Sequence, residues 1–191
     1  MKKVLLLLAN GFEVLEASTF IDVIGWNGLE GDGSTSLNTC GLSKEVVSSF
    51  NHRCIVDYLI EEVDPDSFDA LAIPGGFEEY NYYTDVYDNR VQNLIKEFNA
   101  KNKPIASICV AALPIGKTGI LNGKDGTTYN SRKRREALKS FGVNVIEQPI
   151  VKANNIITSN GPSTAIQVAL LLLQLLTSEA NAKKAAKLMG F

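Results

Sequence analysis

Cys109 is the residue of this 191-residue chain that is best placed to do chemistry. It ends the apolar run PIASIC at residues 104–109, and the small residues Ser107 and Ala111 stand two positions before and after it. Small residues are needed at these two places when a nucleophile lies on a sharp strand-to-helix turn, because the turn leaves no room for bulk. Such a turn exposes the sulfur at a helix N-terminus, where free N–H groups favour a thiolate. The spacing alone leaves two interpretations open, a nucleophile and a small buried core residue.

Backbone N–H groups are the candidate partners for an anion that forms at this sulfur. Gly75 and Gly76 follow the apolar segment DALAI and have no Cβ, so their N–H groups can approach a reacting oxygen closely. The N–H of Val110, directly after the cysteine, is a further candidate donor. We therefore expect an oxyanion site formed by Gly75, Gly76 and Val110.

Strands and helices alternate along the chain and must position these residues. The strands read as continuous apolar runs, which is typical of a parallel sheet with helices on both faces, that is, an α/β domain. Because functional groups gather at the carboxyl ends of such strands, we expect the turn with Asn10 and the segment with Asn160 and Pro162 to line the same pocket as Cys109. Residues 1–191 are predicted to form a single domain, in which the Gly- and Ser-rich stretch 27–42 is an irregular insertion.

Composition excludes several classes of function. A net charge of −2 with 21% charged residues gives no electrostatic footprint for nucleic acid. The basic run RKRR at 132–135 is interpreted as a solvated helix face. The three cysteines have no CxxC spacing, which argues against a zinc site or a disulfide framework and suits a reducing cytoplasm. No apolar segment is long enough to span a membrane, and we expect a cytoplasmic protein without metal or cofactor.

The segment PIGKTG resembles the end of a phosphate-binding loop, which is the competing interpretation of this region. That loop needs a glycine at position 111, where this chain has Ala111, and Pro114 would lie inside it. Residues 110–116 also follow a helical pattern where the motif needs a loop. Nucleotide binding is therefore not expected here.

Several segments together resemble the ThiJ/PfpI family, the DJ-one-like proteins. They are ANGFEVLEA, LAIPGG, PIASIC, TTY and IITSNGPSTAIQVAL, in the family's order and at similar spacing. The resemblance implies a flavodoxin-like three-layer sandwich, a homodimer and an oxidation-prone cysteine at Cys109. It also implies that Glu16 points at this sulfur, where a carboxyl beside a thiolate would have a raised pKa and could donate a hydrogen bond. Glu13, one helical turn earlier, is interpreted as a solvated or packing residue.

The chain departs from the family at two positions that would carry histidine. Peptidase-like members have His directly after the cysteine, where this chain has Val110, and a His commonly follows TT, where this chain has Tyr129. Tyr129 is therefore a candidate pocket residue rather than a base. The only histidine, His52, is interpreted as a surface residue. Because a Cys nucleophile needs an imidazole base to attack amides, we expect no peptidase activity, and Glu16 is the candidate acid–base partner.

Two functions remain open at this point. In the first, the protein is a cofactor-independent, glyoxalase- or deglycase-like enzyme for small reactive carbonyls such as methylglyoxal, with Cys109 as nucleophile and Glu16 moving the proton. In the second, it is a redox-responsive stress-protection protein whose Cys109 is oxidised to a sulfinate that Glu16 stabilises. Both functions use the same sulfur, so the sequence does not separate them.

Overall fold

The computed structural model describes all 191 residues, and a seven-stranded sheet forms its centre. The strands in chain order are β1 (Lys2–Leu7), β2 (Thr35–Gly41), β3 (Glu45–Val47), β4 (Arg53–Ile55), β5 (Tyr58–Leu59), β6 (Ala70–Ile73), β7 (Ile105–Ser107), β8 (Asp125–Gly126), β9 (Asn144–Val145), β10 (Ile150–Ala153) and β11 (Ile156–Ser159). The helices are α1 (Val14–Leu29), α2 (Tyr82–Val86), α3 (Asn89–Ala100), α4 (Ala112–Lys117), α5 (Arg132–Ser140), α6 (Ala165–Leu176) and α7 (Glu179–Leu188). No helix is long and apolar enough to span a membrane.

The main sheet has the order β10-β11-β7-β6-β1-β2-β5. Its neighbouring strands are parallel except β10 and β11, which pair antiparallel. The chain passes from β1 to β2 through α1 in one direction along the sheet and from β6 to β7 through α3 in the other. Because such crossovers are right-handed, α1 and α3 lie on opposite faces, α1 packing with α6 and α7 and α3 with α4. The predicted three-layer α/β sandwich is confirmed.

The central strands are apolar along their whole length because both of their faces are covered. All residues of β6 and the last four of β1 are buried, and they belong to one core of 47 buried residues. Fully burying one aliphatic side chain of this kind contributes roughly 1.5–3 kcal/mol to folding. These strands therefore form a rigid support for the turns at their carboxyl ends.

The prediction of an irregular insertion at residues 27–42 is wrong. Residues 27–29 end α1, and Thr35–Gly41 form β2, which pairs with β1 along the whole of that strand. The polar composition is compatible with a strand because its polar groups are satisfied by neighbours. The Thr35 hydroxyl donates to the Ile24 carbonyl at 3.1 Å and accepts from the Asn27 amide at 2.9 Å. The Thr39 N–H donates to Asp57 Oδ2 at 2.8 Å.

The turns after β1 and β6 meet at the point where the direction of the crossovers changes. Phe12 and Gly76 form an isolated antiparallel bridge between the two turns. Glu13 N–H donates to the Gly75 carbonyl at 2.8 Å, and Phe77 N–H donates to the Gly11 carbonyl at 3.0 Å. This bridge fixes the first turn of α1 beside the end of β7. Ligands of open α/β sheets bind at such a switch point.

Candidate active site

Cys109 lies two residues after the end of β7 and has left-handed backbone geometry, with a φ of 59°. It begins a 3₁₀ turn, Cys109–Ala111, that leads into the six-residue α4. A non-glycine residue in this region costs about 1–3 kcal/mol, so its surroundings must hold it there. The buried Thr128 hydroxyl donates to the Cys109 carbonyl at 3.1 Å, and the Ala111 N–H donates to the Ile108 carbonyl at 3.1 Å. The sharp strand-to-helix turn expected from the sequence is therefore present.

Glu16 lies in the first turn of α1 and is completely buried beside this cysteine. Its Oε2 accepts a 2.6 Å hydrogen bond from the Gly75 N–H, and its Oε1 has no regular hydrogen-bond partner. A Cβ on Gly75 would lie 2.9 Å from both the Cys109 Cβ and Glu16 Oε2, so only a glycine fits between the two side chains. Carboxyl and thiol are thus neighbours across the Gly75 backbone.

Burial raises the pKa of Glu16 to about 8, and the charge of Glu13 acts in the same direction. The Gly75 N–H and the Cys109 thiol act in the opposite direction and are outweighed. At neutral pH the Glu16 carboxyl is therefore mostly protonated and can donate a hydrogen bond from Oε1.

Burial also raises the pKa of the Cys109 thiol, because the residue is only 7% exposed. The charge of an ionised Glu16 adds to this effect, while the Val110 N–H acts against it. Burial of the sulfur thus acts against the thiolate that a helix N-terminus would favour, and the Val110 N–H offsets only part of this effect. The charge of Glu16 is absent while the carboxyl is protonated, so a thiolate forms most easily beside a neutral Glu16.

The three expected oxyanion donors have different roles. The Gly75 N–H is occupied by Glu16 and is not available to a substrate, so this assignment is wrong. The Val110 N–H faces the sulfur itself. The Gly76 N–H makes no hydrogen bond within the protein, and Gly76 lines the same cavity as Cys109. Gly76 is therefore the donor of the set that remains free for a substrate oxygen.

A cavity of about 520 Å³ opens above Cys109 and is called the Cys109 cavity below. It is lined by Glu13, Gly76, Phe77, Glu78, Glu79, Cys109, Val110, Tyr129, Ser131, Lys133, Arg134 and Pro162. Tyr129 and Pro162 are thus placed as the sequence predicts. Glu16 is absent from the lining because it lies behind the sulfur.

Asn10 and Asn160 do not line the Cys109 cavity, contrary to expectation. The Asn10 N–H and side-chain amide donate to Asp85 Oδ2 at 2.8 and 3.0 Å, and its Oδ1 accepts from the Val47 N–H at 2.9 Å. These bonds turn the Asn10 side chain into a structural link between β1, α2 and β3. The Asn160 N–H donates to the Pro149 carbonyl at 2.9 Å, in the turn before β10.

The basic run at 132–135 contributes two side chains to the cavity wall that sequence analysis assigned to solvent. Lys133 Nζ and Arg134 Nη2 both donate to Glu78 Oε2, at 2.8 and 2.9 Å. The Arg134 guanidinium also lies over the ring of Tyr83, 4.8 Å from its centroid, and its side chain is only 19% exposed. The basic run itself was the sequence feature that could have pointed to Lys133 and Arg134. Where these side chains lie relative to Cys109 depends on the path of the chain after β8.

Neither a histidine nor a metal-binding cluster accompanies the cysteine in this chain. His52 is exposed, lies just after the 3₁₀ turn Ser49–Asn51 and does not line the Cys109 cavity. Its interpretation as a surface residue is correct. No group of three or more His, Cys, Asp or Glu side chains is arranged to hold a metal ion. The acid–base groups near the sulfur are carboxyls.

Comparison with known proteins agrees with this fold. Residues 2–175 match the DJ-1/PfpI family. Protein dj-1beta of Drosophila melanogaster is 29% identical over 97% of this chain and 95% of its own length, and its crystal structure superposes with a TM-score of 0.85 over 98% of this chain and 97% of the other. The chain is 28% identical to protein DJ-1 homolog B of Arabidopsis thaliana over 90% of its length but spans only 37% of that longer protein.

A further solved structure, "Toxoplasma gondii DJ-1, oxidized", is 27% identical, with a TM-score of 0.82 over 99% of this chain and 98% of the other. The family match runs from residue 2 to residue 175 and so spans residues 27–42, which contain β2. This chain is therefore a member of the DJ-1/PfpI family.

Proposed function

We propose that this protein is a cofactor-independent cysteine enzyme that acts on small reactive carbonyls such as methylglyoxal. The observation that carries the proposal is the position of Cys109, which lies on a strained turn at the floor of a cavity of about 520 Å³, with a protonated carboxyl behind it. A 2-oxoaldehyde has room in this cavity. Its carbonyl needs only a thiol, a proton carrier and an N–H donor, because addition to an aldehyde involves no leaving group.

The first step is addition of the Cys109 thiol across the aldehyde group. A bond forms between sulfur and the aldehyde carbon, the carbonyl π electrons move to oxygen, and the thiol proton passes through Glu16 to that oxygen. The Gly76 N–H is placed to stabilise the developing oxyanion. The hemithioacetal then isomerises to the thioester of a 2-hydroxy acid, and water hydrolyses the thioester to restore the thiol. The sequence is redox-neutral overall and needs no external oxidant.

Turnover under anaerobic conditions tests this proposal. Wild-type protein should convert methylglyoxal to lactate. Cys109→Ser should lower the rate of this conversion by a factor of about 100 or more, as expected when a nucleophile is removed. Cys54→Ser, which changes a thiol outside the cavity, should retain it. Absence of lactate with the wild-type protein would refute the proposal.

A second candidate is a redox-responsive protein in which Cys109 is oxidised to a sulfinate. One observation favours it: the buried Glu16 Oε1 has no regular partner and belongs to a carboxyl that is mostly protonated at neutral pH. This O–H could donate to a sulfinate oxygen. Two molecules of peroxide would supply the two oxygen atoms and leave as two molecules of water, with sulfenic acid as the intermediate.

Peroxide titration followed by peptide mass spectrometry tests this candidate. Wild-type protein should accumulate sulfinate at Cys109, and Glu16→Ala should pass on to sulfonate, because a charge-assisted hydrogen bond of about 1.5–3 kcal/mol is lost. Glu16→Gln keeps an N–H donor and should behave like the wild type. Equal oxidation products in the wild-type and Ala proteins would exclude Glu16 from this role.

We also propose that the chain forms a homodimer through the exposed face of α1. Leu15, Ile21, Trp26 and Leu29 lie on this helix and are 58%, 44%, 42% and 84% exposed. They extend beside a surface cavity of about 380 Å³ that contains Gly25, where the backbone is open to close approach. A second copy of the same face would cover this apolar surface.

A further inference from the structure

We propose that Glu13 is a catalytic residue, whose carboxylate moves the C–H proton of the carbonyl substrate after that substrate has bonded to Cys109. The inference rests on the proposed carbonyl chemistry and goes beyond it, because it assigns the isomerisation step to a residue interpreted from the sequence as solvated or packing. It gives different roles to Glu13 and Glu16, the two carboxyls at the start of α1: Glu13 acts on the substrate, and Glu16 acts on the sulfur.

Position distinguishes Glu13 from Glu16. Glu13 lines the Cys109 cavity and is partly exposed, whereas Glu16 is fully buried and does not line the cavity. Glu16 Oε2 is held by the Gly75 N–H, and its other oxygen lies behind the sulfur. A substrate in the cavity can therefore contact the Glu13 carboxylate, while Glu16 acts on the sulfur and on its proton.

The Glu13 carboxylate has no partner inside the protein. Glu13 is the N-cap residue of α1, but its side chain makes no capping hydrogen bond, and it forms no ion pair. Its backbone is nevertheless fixed, because its N–H donates to the Gly75 carbonyl at 2.8 Å and its carbonyl accepts from the Ala17 N–H at 3.1 Å. Burial raises its pKa, and no hydrogen bond or cation opposes this effect. An unpaired carboxylate that is carried on a fixed backbone and lines a reaction cavity is suited to act as a base.

The proposed chemistry requires such a base on the cavity side. In the hemithioacetal, the hydrogen to be moved is bound to the carbon attached to sulfur, and this carbon projects into the cavity. Glu16 is a poor candidate for this proton because it is mostly protonated near neutral pH and lies on the other side of the sulfur. The cations Lys133 and Arg134 of the cavity wall carry hydrogen-bond donors only and direct them to Glu78, so they do not serve as the base.

The proposed step conserves atoms and electrons. Glu13 takes the proton from the sulfur-bearing carbon, the C–H electron pair forms a C=C bond, and the neighbouring ketone oxygen becomes an enediolate oxygen near the Gly76 N–H. Glu13 then returns the proton to the former ketone carbon. The hydroxyl of the sulfur-bearing carbon becomes a carbonyl, and its proton passes to the enediolate oxygen. The product is the thioester of a 2-hydroxy acid on Cys109.

The test measures adduct formation and turnover separately in Glu13→Gln. Adduct formation is followed as protection of Cys109 from iodoacetamide by methylglyoxal, and turnover as anaerobic lactate formation. We expect protection within about twofold of the wild type and turnover lowered about 100-fold, since a positioned general base contributes 10²–10⁴-fold. Glu97→Gln on α3 removes an exposed carboxylate outside the cavity and is the matched control.

The outcomes distinguish this inference from the proposed function. If the wild type forms lactate and Glu13→Gln does so at the same rate, Glu13 is not the base and the carbonyl chemistry still stands. If the wild type forms no lactate, both proposals are overturned. If Glu13→Gln loses turnover and protection together, the substitution has damaged the site, and an assignment to the proton-transfer step is refuted. Glu13→Asp, which keeps a shorter carboxylate, should recover part of the turnover.

Discussion

Gly75 donates its N–H to Glu16 Oε2 at 2.6 Å and separates this carboxyl from the Cys109 side chain without leaving space for a Cβ. The glycine therefore serves the carboxyl rather than the substrate. A neutral Glu16 accepts this bond on one oxygen and can donate from the other toward the sulfur. The arrangement stores a proton beside Cys109 in a place that solvent does not reach.

The raised pKa of Glu16 makes folding stability depend on pH. The carboxyl ionises near its ordinary pKa of 4.5 in the unfolded chain and only at a pKa of about 8 in the folded protein. The unfolded state therefore binds fewer protons between these values, and stability falls as the pH rises through this window. Glu16→Gln keeps both hydrogen-bonding functions without the ionisation. It should be more stable than the wild type by roughly 4 kcal/mol at pH 7.5, and this difference should nearly vanish at pH 4.5.

Urea denaturation at several pH values measures this difference. Glu97→Gln, an exposed carboxylate on α3, provides the control and should follow the wild type throughout. A wild-type protein that is as stable as Glu16→Gln at pH 7.5 would mean that Glu16 is ionised in the folded state at that pH.

The same ionisation should limit the reactivity of Cys109 at high pH. Above about pH 8 the charge of Glu16 raises the pKa of the thiol, so the thiolate fraction grows slowly with pH. Glu16→Gln removes this charge, and iodoacetamide should label Cys109 about tenfold faster in the variant than in the wild type at pH 9.5. Cys54, outside the cavity, should react equally in both proteins, and Cys40, which is fully buried with a pKa raised to about 12, should stay unlabelled.

Peptide mass spectrometry reports all three cysteines in one sample. Parallel pH profiles of Cys109 in the wild type and in Glu16→Gln would show that the two groups do not share a proton, and that Glu16 does not control the thiol.

The sequence predicts the strands and the turn that position Cys109 better than it predicts the residues that line the Cys109 cavity. Cys109 could be placed because a sharp strand-to-helix turn imposes small residues at fixed spacing, and this requirement is local. The alternation of apolar strands and helices likewise follows from local periodicity. Glu16 depended on the family resemblance, since one buried carboxyl in a helix carries no periodic signal that distinguishes it from its neighbour Glu13.

The parts that sequence reasoning missed depend on tertiary neighbours. β2 is polar, and its bonds to Asn27, Ile24 and Asp57 satisfy polar groups through neighbours that a local sequence pattern does not reveal. Lys133 and Arg134 belong to a run that resembles a solvated helix face, and they reach the Cys109 cavity because Glu78 receives them there. Gly75 has the right residue type for an anion donor, but its N–H is occupied by the protein's own Glu16 carboxyl.

The proposed homodimer predicts a change of molecular mass on substitution of α1. Leu29 is 84% exposed, so Leu29→Glu should leave the monomer folded but place a charge in the proposed interface. Sedimentation equilibrium should show a dimer for the wild type and a weakening of association by about 100-fold or more for the variant, as expected for burial of an unpaired charge. The emission of Trp26, the only tryptophan, should shift to longer wavelength when the face is exposed.

Phe191→Glu, at an exposed position near the chain end, is the control for added charge and should remain dimeric. A wild-type protein that sediments as a monomer at all concentrations, or a Leu29→Glu variant that stays dimeric, would place the interface elsewhere or remove it.

The last prediction concerns amide hydrolysis. Peptidases that use cysteine need an acid for the amine leaving group and an imidazole to activate the sulfur. Here the residue after Cys109 is Val110, the residue at the cavity edge is Tyr129, and His52 does not line the cavity. Glu16 is a carboxyl that holds its proton at the sulfur, so it does not replace the imidazole that activates a cysteine for attack on an amide. We therefore expect no cleavage of casein or of fluorogenic peptide amides above the rate seen with Cys109→Ala. The wild-type sample should at the same time consume methylglyoxal, which shows that its thiol is intact. Peptidase activity that copurifies with the wild type and disappears in Cys109→Ala would contradict this prediction. It would also require an imidazole that this cavity lacks, and His52→Ala would then test whether a histidine from a second copy supplies it.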